Sequence, residues 1–266
     1  MGFYIALPVL LLAGLYLFLI APGKKDISEL KGWHYSHRGL HDLGKGIPEN
    51  TLPAFEQAIA NNYGIELDVH LTADDQLVVF HDDDLRHAAG MDMNIHDTGY
   101  EEISQHPVYA SPYHIPLFSQ VLSLVSGRVP LIVEIKSCKR YTELCVKVSE
   151  MLKNYQGPLC IESFDPRIVK WFRVNRPDIT RGQLSSSMFK SNLHFSTKVI
   201  MTFMLMNFTS KPHFIAYMHE NAGNLSFLLC RKLFKANTVA WTLRSKEELE
   251  TARAMFDLFI FEGFIP

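Results

Sequence analysis

Residues 64–82 read GIELDVHLTADDQLVVFHD, and the way this stretch pairs decides the fold. GIELDVHLT and the run ending VVFHD both carry the β-branched and aromatic content of strands. Only Ala73, Asp74, Asp75 and Gln76 separate them. Parallel neighbours need a crossover of a dozen or more residues, so the two are expected to form an antiparallel hairpin. With those four residues as the loop, Thr72 faces positions 76–77 and His81 returns to the level of Leu67 or Asp68.

Working outward, strand-like runs recur as WHYSHR from 33, VPLIVEIK from 129, PLCIESF from 158, DITRGQL from 178, HFIAYM from 213, TVAWTL from 238 and DLFIFE from 257. Helix-sized segments stand between most of them, at 52–62, 140–155, 166–175, 222–235 and 246–255. This alternation is the pattern of a parallel sheet with helical crossovers. Nine strands are one too many for an eight-stranded barrel, and the hairpin absorbs the surplus. The expected fold is α/β, a (β/α)8 barrel over residues 32–266. Residues 83–115, rich in His, Asp, Gly and Pro and lacking a period, read as an irregular insertion over one end of it.

The 266 residues are 47% apolar and 20% charged with a net charge of −2, which describes one large globular domain and no electrostatic footprint for nucleic acid. Cys138, Cys145, Cys160 and Cys230 have neither zinc-site pairing nor the density of a disulfide scaffold, so reduced thiols are expected. Residues 1–23 include the uncharged run GFYIALPVLLLAGLYLFLIAPG, long enough at 1.5 Å per residue to cross a hydrocarbon core. It reads as a single transmembrane helix, with residues 24–31 as a polar linker. Lys24 and Lys25 directly after it put the C-terminal side in the cytoplasm, at the cell membrane.

In such a barrel the chemistry lies at the C-terminal ends of the strands. Those ends carry His37 and Arg38, Glu66 and Asp68, His81 and Asp82, Glu134 and Lys136, Glu162 and Ser163, and Trp241. Glu66 and Asp68 are spaced i, i+2 and share one face. Two inward carboxylates repel unless a cation joins them, and with Glu134 they make an all-oxygen set that suits Mg²⁺ or Ca²⁺ better than zinc. The alternative is a salt-bridge layer with Lys136 and Arg38. Those two cations could instead hold a phosphate, Arg by paired hydrogen bonds and Lys as a point charge. His37 and His81 reach the same place and can serve as general acid and base. Among 12 histidines, His34, His41, His70, His87 and His96 carry no comparable setting. Metal, cations and histidines together fit phosphodiester chemistry.

The order HRG, PENT-x-x-AF, E-x-D-V-x-x-T-x-D with V-x-x-HD, IPLFSQVL, EIK, ESFDP and AWTLRS resembles the glycerophosphodiester phosphodiesterase family, from about residue 34 to 243. The resemblance implies a TIM barrel with an insertion after the HD motif. It implies Glu66, Asp68 and Glu134 as metal ligands, His37 and His81 as the acid/base pair, Arg38 and Lys136 on the phosphate and Trp241 lining the substrate pocket. The implied reaction is metal-dependent hydrolysis of a glycerophosphodiester to sn-glycerol 3-phosphate and an alcohol. In it a neighbouring glycerol hydroxyl attacks phosphorus and water opens the resulting cyclic phosphate. Two other readings stay open: an enzyme acting on lysophospholipids or lipid headgroups at a membrane, and a silent membrane-tethered binding module.

The sequence departs from the family at its end, where FEGFIP stands in place of a Thr-Asp-x-Pro element. Either Glu262 replaces the usual aspartate or that contact is absent. The apolar run 199–206 is too short to span a bilayer. Burial as a crossover helix is the plainer expectation for it, and a position at the membrane interface the sharper one.

Overall fold

The computed structural model describes residues 2–266, with side chains from residue 7 onward. Nine strands form, β1 (His34–Ser36), β2 (Gly64–Leu71), β3 (Leu77–Val79), β4 (Leu131–Ile135), β5 (Leu159–Ser163), β6 (Thr180–Ser185), β7 (Phe214–Met218), β8 (Asn237–Leu243) and β9 (Leu258–Phe261). Each coincides with a run expected from the sequence, β6 and β8 overrunning theirs by one residue. β1 pairs in parallel with both β2 and β9, and the remaining parallel pairings run β2-β4-β5-β6-β7-β8-β9, so eight strands close into a ring. β3 stands outside it, antiparallel to β2 with Leu71 opposite Leu77 and Val69 opposite Val79. Thr72 N–H donates to Gln76 O at 3.0 Å and closes the loop. The hairpin that the four-residue gap demands is therefore present in the expected register.

The helices are α1 (Gly2–Ile20), α2 (Leu52–Ala60), α3 (Arg86–Ala89), α4 (Tyr100–Ile103), α5 (Phe118–Val125), α6 (Tyr141–Leu152), α7 (Pro166–Asn175), α8 (Phe195–Thr202), α9 (Asn207–Ser210), α10 (Leu225–Lys232) and α11 (Lys246–Ala252). One apolar layer lies between the ring and its helices, where outward residues such as Leu67, Val69 and Val133 meet Phe55, Phe118, Leu144 and Phe172. A second fills the ring's N-terminal end with Tyr35, Ile132, Cys160, Phe214, Val239, Leu258 and Ile260. Gly182 is required there, because a Cβ on it would meet the Phe214 ring at 2.0 Å. The expected linker 24–31 joins this layer, burying Ile27 and Leu30 beneath Tyr35, whose hydroxyl donates to Leu30 O at 2.8 Å.

Two expectations need correction. α1 forms where the transmembrane segment was expected over 1–23, but among the described residues no helix is long and apolar enough to cross a membrane. Met1 and the side chains of residues 2–6 lie outside the described residues. The last turns of α1 dock on the barrel wall instead: Ile20 is fully buried, Tyr16 Oη lies 2.6 Å from Ser226 Oγ, and Asn207 Nδ2 donates to Ile20 O at 3.0 Å. Upstream, Leu7, Val9, Leu10, Leu11, Leu12 and Leu15 are all more than half exposed. The run 199–206 is not a buried crossover helix: α8 ends within it and buries only Thr202, leaving Phe195 and Ile200 exposed. The four thiols are free, three buried and Cys138 half-buried.

Candidate active site

β2 sends Glu66 and Asp68 to the inside of the ring, as their i, i+2 spacing requires, and Asp68 lies level with Glu134 on β4, which is level with Glu162 on β5. Oxygens of Glu66, Asp68 and Glu134 all lie within 4.8 Å of one another. Lys136 Nζ bridges two of them, 3.0 Å from Asp68 Oδ1 and 3.1 Å from Glu134 Oε1. Arg38 Nε lies 3.6 Å from Asp68 Oδ2. The salt-bridge layer is therefore real, yet it does not balance. Four carboxylates, Glu66, Asp68 and Glu162 buried and Glu134 partly so, face two cations, and one of these, Arg38, also pairs with Glu49 through a 2.7 Å bond from Nη1 to Oε1. A divalent cation could supply the missing charge, and the set of carboxylate oxygens suits a hard one.

Protonation answers to the same imbalance. Burial, then Asp68 and Glu134, push Glu66 well above the usual carboxylate range. Burial raises Glu134 to about 7 even against Lys136. Burial and the neighbouring carboxylates also raise Glu162, whose Oε2 finds no hydrogen-bond partner among the described residues. At Asp68, burial is outweighed by Lys136, His81 and Arg38, which hold its carboxyl below the ordinary value.

His37 leaves β1 with its backbone N–H on Phe261 O, and its Nδ1 lies 2.9 Å from Glu262 Oε2. His81, at the end of the hairpin, has Nδ1 2.8 Å from Asp82 Oδ1. Each imidazole thus has one nitrogen fixed by a carboxylate and Nε2 left for proton transfer. His37 Nε2 lies 4.0 Å from Glu66 Oε2, directing it at the carboxylate cluster. Burial lowers both histidines below 6.5, opposed at His37 by Glu262 and at His81 by Asp68.

Arg38 takes a left-handed backbone, φ 57°, which turns its N–H onto Glu66 Oε2 at 3.1 Å. At Gly39, φ 85°, a Cβ would press on Ala54 at 2.9 Å, so glycine is needed where the loop crosses α2. Asn50 Nδ2 donates to Asp68 Oδ2 at 2.8 Å, and Tyr109 Oη donates to Glu49 Oε1 at 3.2 Å. Trp241 on β8 meets Phe164 edge-on at 5.6 Å, beside the ring's mouth.

All eight expected site residues gather at this mouth. Sequence reasoning left four partners unassigned: Glu49 and Asn50, which fix Arg38 and Asp68, Glu162 as a fourth buried carboxylate, and Glu262 as the anchor of His37. Position at a strand end was the available signal for Glu162. For Glu262 the FEGFIP departure flagged a polar contact, but its partner, His37, lies 225 residues away and was not readable.

The model of the glycerophosphoryl diester phosphodiesterase family matches residues 37–257. A glycerophosphodiester phosphodiesterase of Bacillus altitudinis is 38% identical over 133 residues, covering 46% of this chain and 53% of that protein. A human lysophospholipase D is 34% identical over 138 residues, covering 46% of this chain and 41% of that protein. The chain thus spans about half the length of these curated relatives. Among solved structures, an Oleispira antarctica phosphodiesterase in complex with sn-glycerol-3-phosphate superposes with a TM-score of 0.71 at 21% identity, covering 89% of this chain and 95% of that one. That likeness is one of fold.

Proposed function

Given that this chain belongs to the glycerophosphoryl diester phosphodiesterase family, we propose that it hydrolyses glycerophosphodiesters to sn-glycerol 3-phosphate and an alcohol. The observation that carries this reading is the pair His37 and His81, each anchored through Nδ1 by a carboxylate beside the unbalanced cluster of Glu66, Asp68 and Glu134. One imidazole takes the proton of the glycerol hydroxyl adjacent to the phosphate while the other, as imidazolium, protonates the departing alcohol oxygen. The pair then exchanges roles as water opens the cyclic phosphate. Glu262 and Asp82 keep each ring in one tautomer and stabilise its charged form. Arg38 and Lys136 hold the phosphate oxygens, pre-organised by Glu49, Asp68 and Glu134. Glu66, Asp68 and Glu134 would hold Mg²⁺ or Ca²⁺, which when bound neutralises charge on phosphorus-bound oxygens. Trp241 lines the substrate side.

A second reading, lysophospholipid as substrate, is favoured by an apolar groove of about 660 Å³ at the same mouth. Phe164, Met188, Leu193, Ile200 and Met201 line it, together with Ser137, the residue that follows Lys136. It offers an acyl chain a place beside the phosphate. The N-terminal helix supports a lipid surface as partner. Tyr16 meets Ser226 in the first turn of α10, at the mouth end, so the exposed leucines upstream project on that side. Residues 32–266 would then form the catalytic domain and α1 a membrane-resting arm.

A single panel tests both. Chelated protein is assayed on glycerophosphocholine, glycerophosphoglycerol and lysophosphatidylcholine with Mg²⁺ or Ca²⁺ restored. His37→Ala and His81→Ala should each lose at least about 100-fold in rate. Activity that survives both substitutions defeats the acid/base assignment, and a preference for deacylated substrates defeats the lysolipid reading.

A further inference from the structure

A second cluster of metal-binding atoms lies outside the site just described, where the insertion folds back on β2. His70, fully buried, shares a strand face with Glu66 and Asp68, two residues nearer the rim. His96 comes from the insertion, its N–H capped by Asn94 Oδ1 at 2.9 Å, and Asp83 begins the same loop, its carbonyl accepting Ile95 N–H at 2.9 Å.

The backbone fixes the tautomers of both rings. His70 Nε2 faces His81 O at 3.2 Å, and His96 Nδ1 faces Leu71 O at 2.9 Å. A carbonyl oxygen only accepts, so each of these nitrogens carries the ring's N–H and donates. With both rings neutral, His70 Nδ1 and His96 Nε2 are bare lone pairs, and they face each other at 3.3 Å. Asp83 Oδ1 adds a third electron-rich atom 3.8 Å from His96 Nε2. Three such atoms pointed at one place need an electrophile between them.

The dimensions fit a tetrahedral ion. Two donors each about 2.0–2.1 Å from such an ion lie about 3.3 Å apart. The ring centroids stand 5.0 Å apart with planes inclined at 49°, so the rings converge on the gap instead of stacking across it. Ligating histidines usually donate their second nitrogen to a carbonyl or carboxylate, as both do here. A cavity of about 350 Å³ lined by Asp83, His96, Asp97 and Cys138 gives an entry path and room for a fourth ligand.

We infer that His70, His96 and Asp83 form a second metal site, for a zinc-class ion, separate from the hard-cation site inside the ring. Two imidazoles and one carboxylate select Zn²⁺ or Co²⁺ over Mg²⁺ or Ca²⁺. The bound ion staples the insertion to β2 and, through the His70 N–H, steadies the carbonyl of His81.

Co²⁺ titration of the chelated full chain with Mg²⁺ in large excess tests the inference. The expected result is one tightly held equivalent with tetrahedral visible absorption bands, displaced by Zn²⁺. His96→Ala should abolish those bands. Asp83→Asn, at a side chain 72% exposed and so harmless to folding, should weaken Co²⁺ at least tenfold. The inference is overturned if the wild type binds no Co²⁺ under excess Mg²⁺, the lone pairs then sharing a proton. It is equally overturned if affinity is unchanged in both variants. Neither outcome depends on hydrolysis, so the site stands or falls apart from the proposed function.

Discussion

Three of the carboxyls that line the ring's mouth carry their protons further up the pH scale than ordinary, and a cation must displace them. Glu134 is raised to about 7, and Glu66 and Glu162 are raised by burial among their neighbours. Since protonation competes with the metal, Mg²⁺ affinity should climb as pH rises through about 7, with protons released on binding. Calorimetry at pH 6.5 in two buffers of different ionisation heat should give different apparent enthalpies. Identical enthalpies would mean that the carboxylates are already bare and that the imbalance of charge is compensated some other way. Much at this scale was legible. The i, i+2 spacing of Glu66 and Asp68 reads directly as one face, and HRG and HD end their strands. The partners of the anchors were not legible, even for Glu262, which the FEGFIP departure singles out, because Asp68 with Asn50 or His37 with Glu262 is a meeting of separate segments. His70 and His96 looked like any other histidines until the carbonyls that fix their tautomers were seen.

Among elements, strands were the most readable, since a ring buried on both faces writes β4, β7 and β9 as apolar runs, although β1 and β6 are mostly polar. The hairpin was equally readable because loop length forbids its alternative. The chain from Asp83 to Ile115 and α8 were harder. Their conformations are set by contacts with β2, β3 and the ring's mouth, and local periodicity carries little of that. At the ring's other end the packing of β6 on β7 permits a sharp prediction. Gly182 leaves space that the Phe214 ring fills, with 2.0 Å between that ring and any added Cβ. Gly182→Ala should destabilise by about 1–3 kcal/mol through overpacking. Adding Phe214→Leu should recover part of that loss in denaturant unfolding. A double variant no more stable than Gly182→Ala alone would show that the backbone of β6, and not this contact, dominates.

Across the whole molecule, polar chemistry and exposed apolar surface share one end. The groove under α8 and the leucines of α1 both belong to the mouth side, whereas the opposite end is plugged by Ile27, Leu30 and Tyr35. If that asymmetry serves lipid substrates, Ile200→Asp, on the groove wall, should raise KM for lysophosphatidylcholine about tenfold and leave glycerophosphocholine hydrolysis unchanged. Replacing Leu11 and Leu15 with Glu should reduce co-sedimentation with phosphatidylcholine vesicles. Equal losses on both substrates would assign Ile200 to the shared phosphate site instead.

The closure of the ring by β1 has a consequence for how the protein comes into being. β1 is held between β2 and β9, so the first and last strands of the ring are neighbours, and the His37–Glu262 bond spans that seam. On a ribosome, the first half of the carboxylate cluster is made early. His37 nonetheless waits for its anchor until β9 has emerged. The His37 ring is therefore anchored only after a strand made more than 200 residues later has docked, and a nascent chain lacking β9 and Glu262 would display the carboxylates beside an unanchored imidazole.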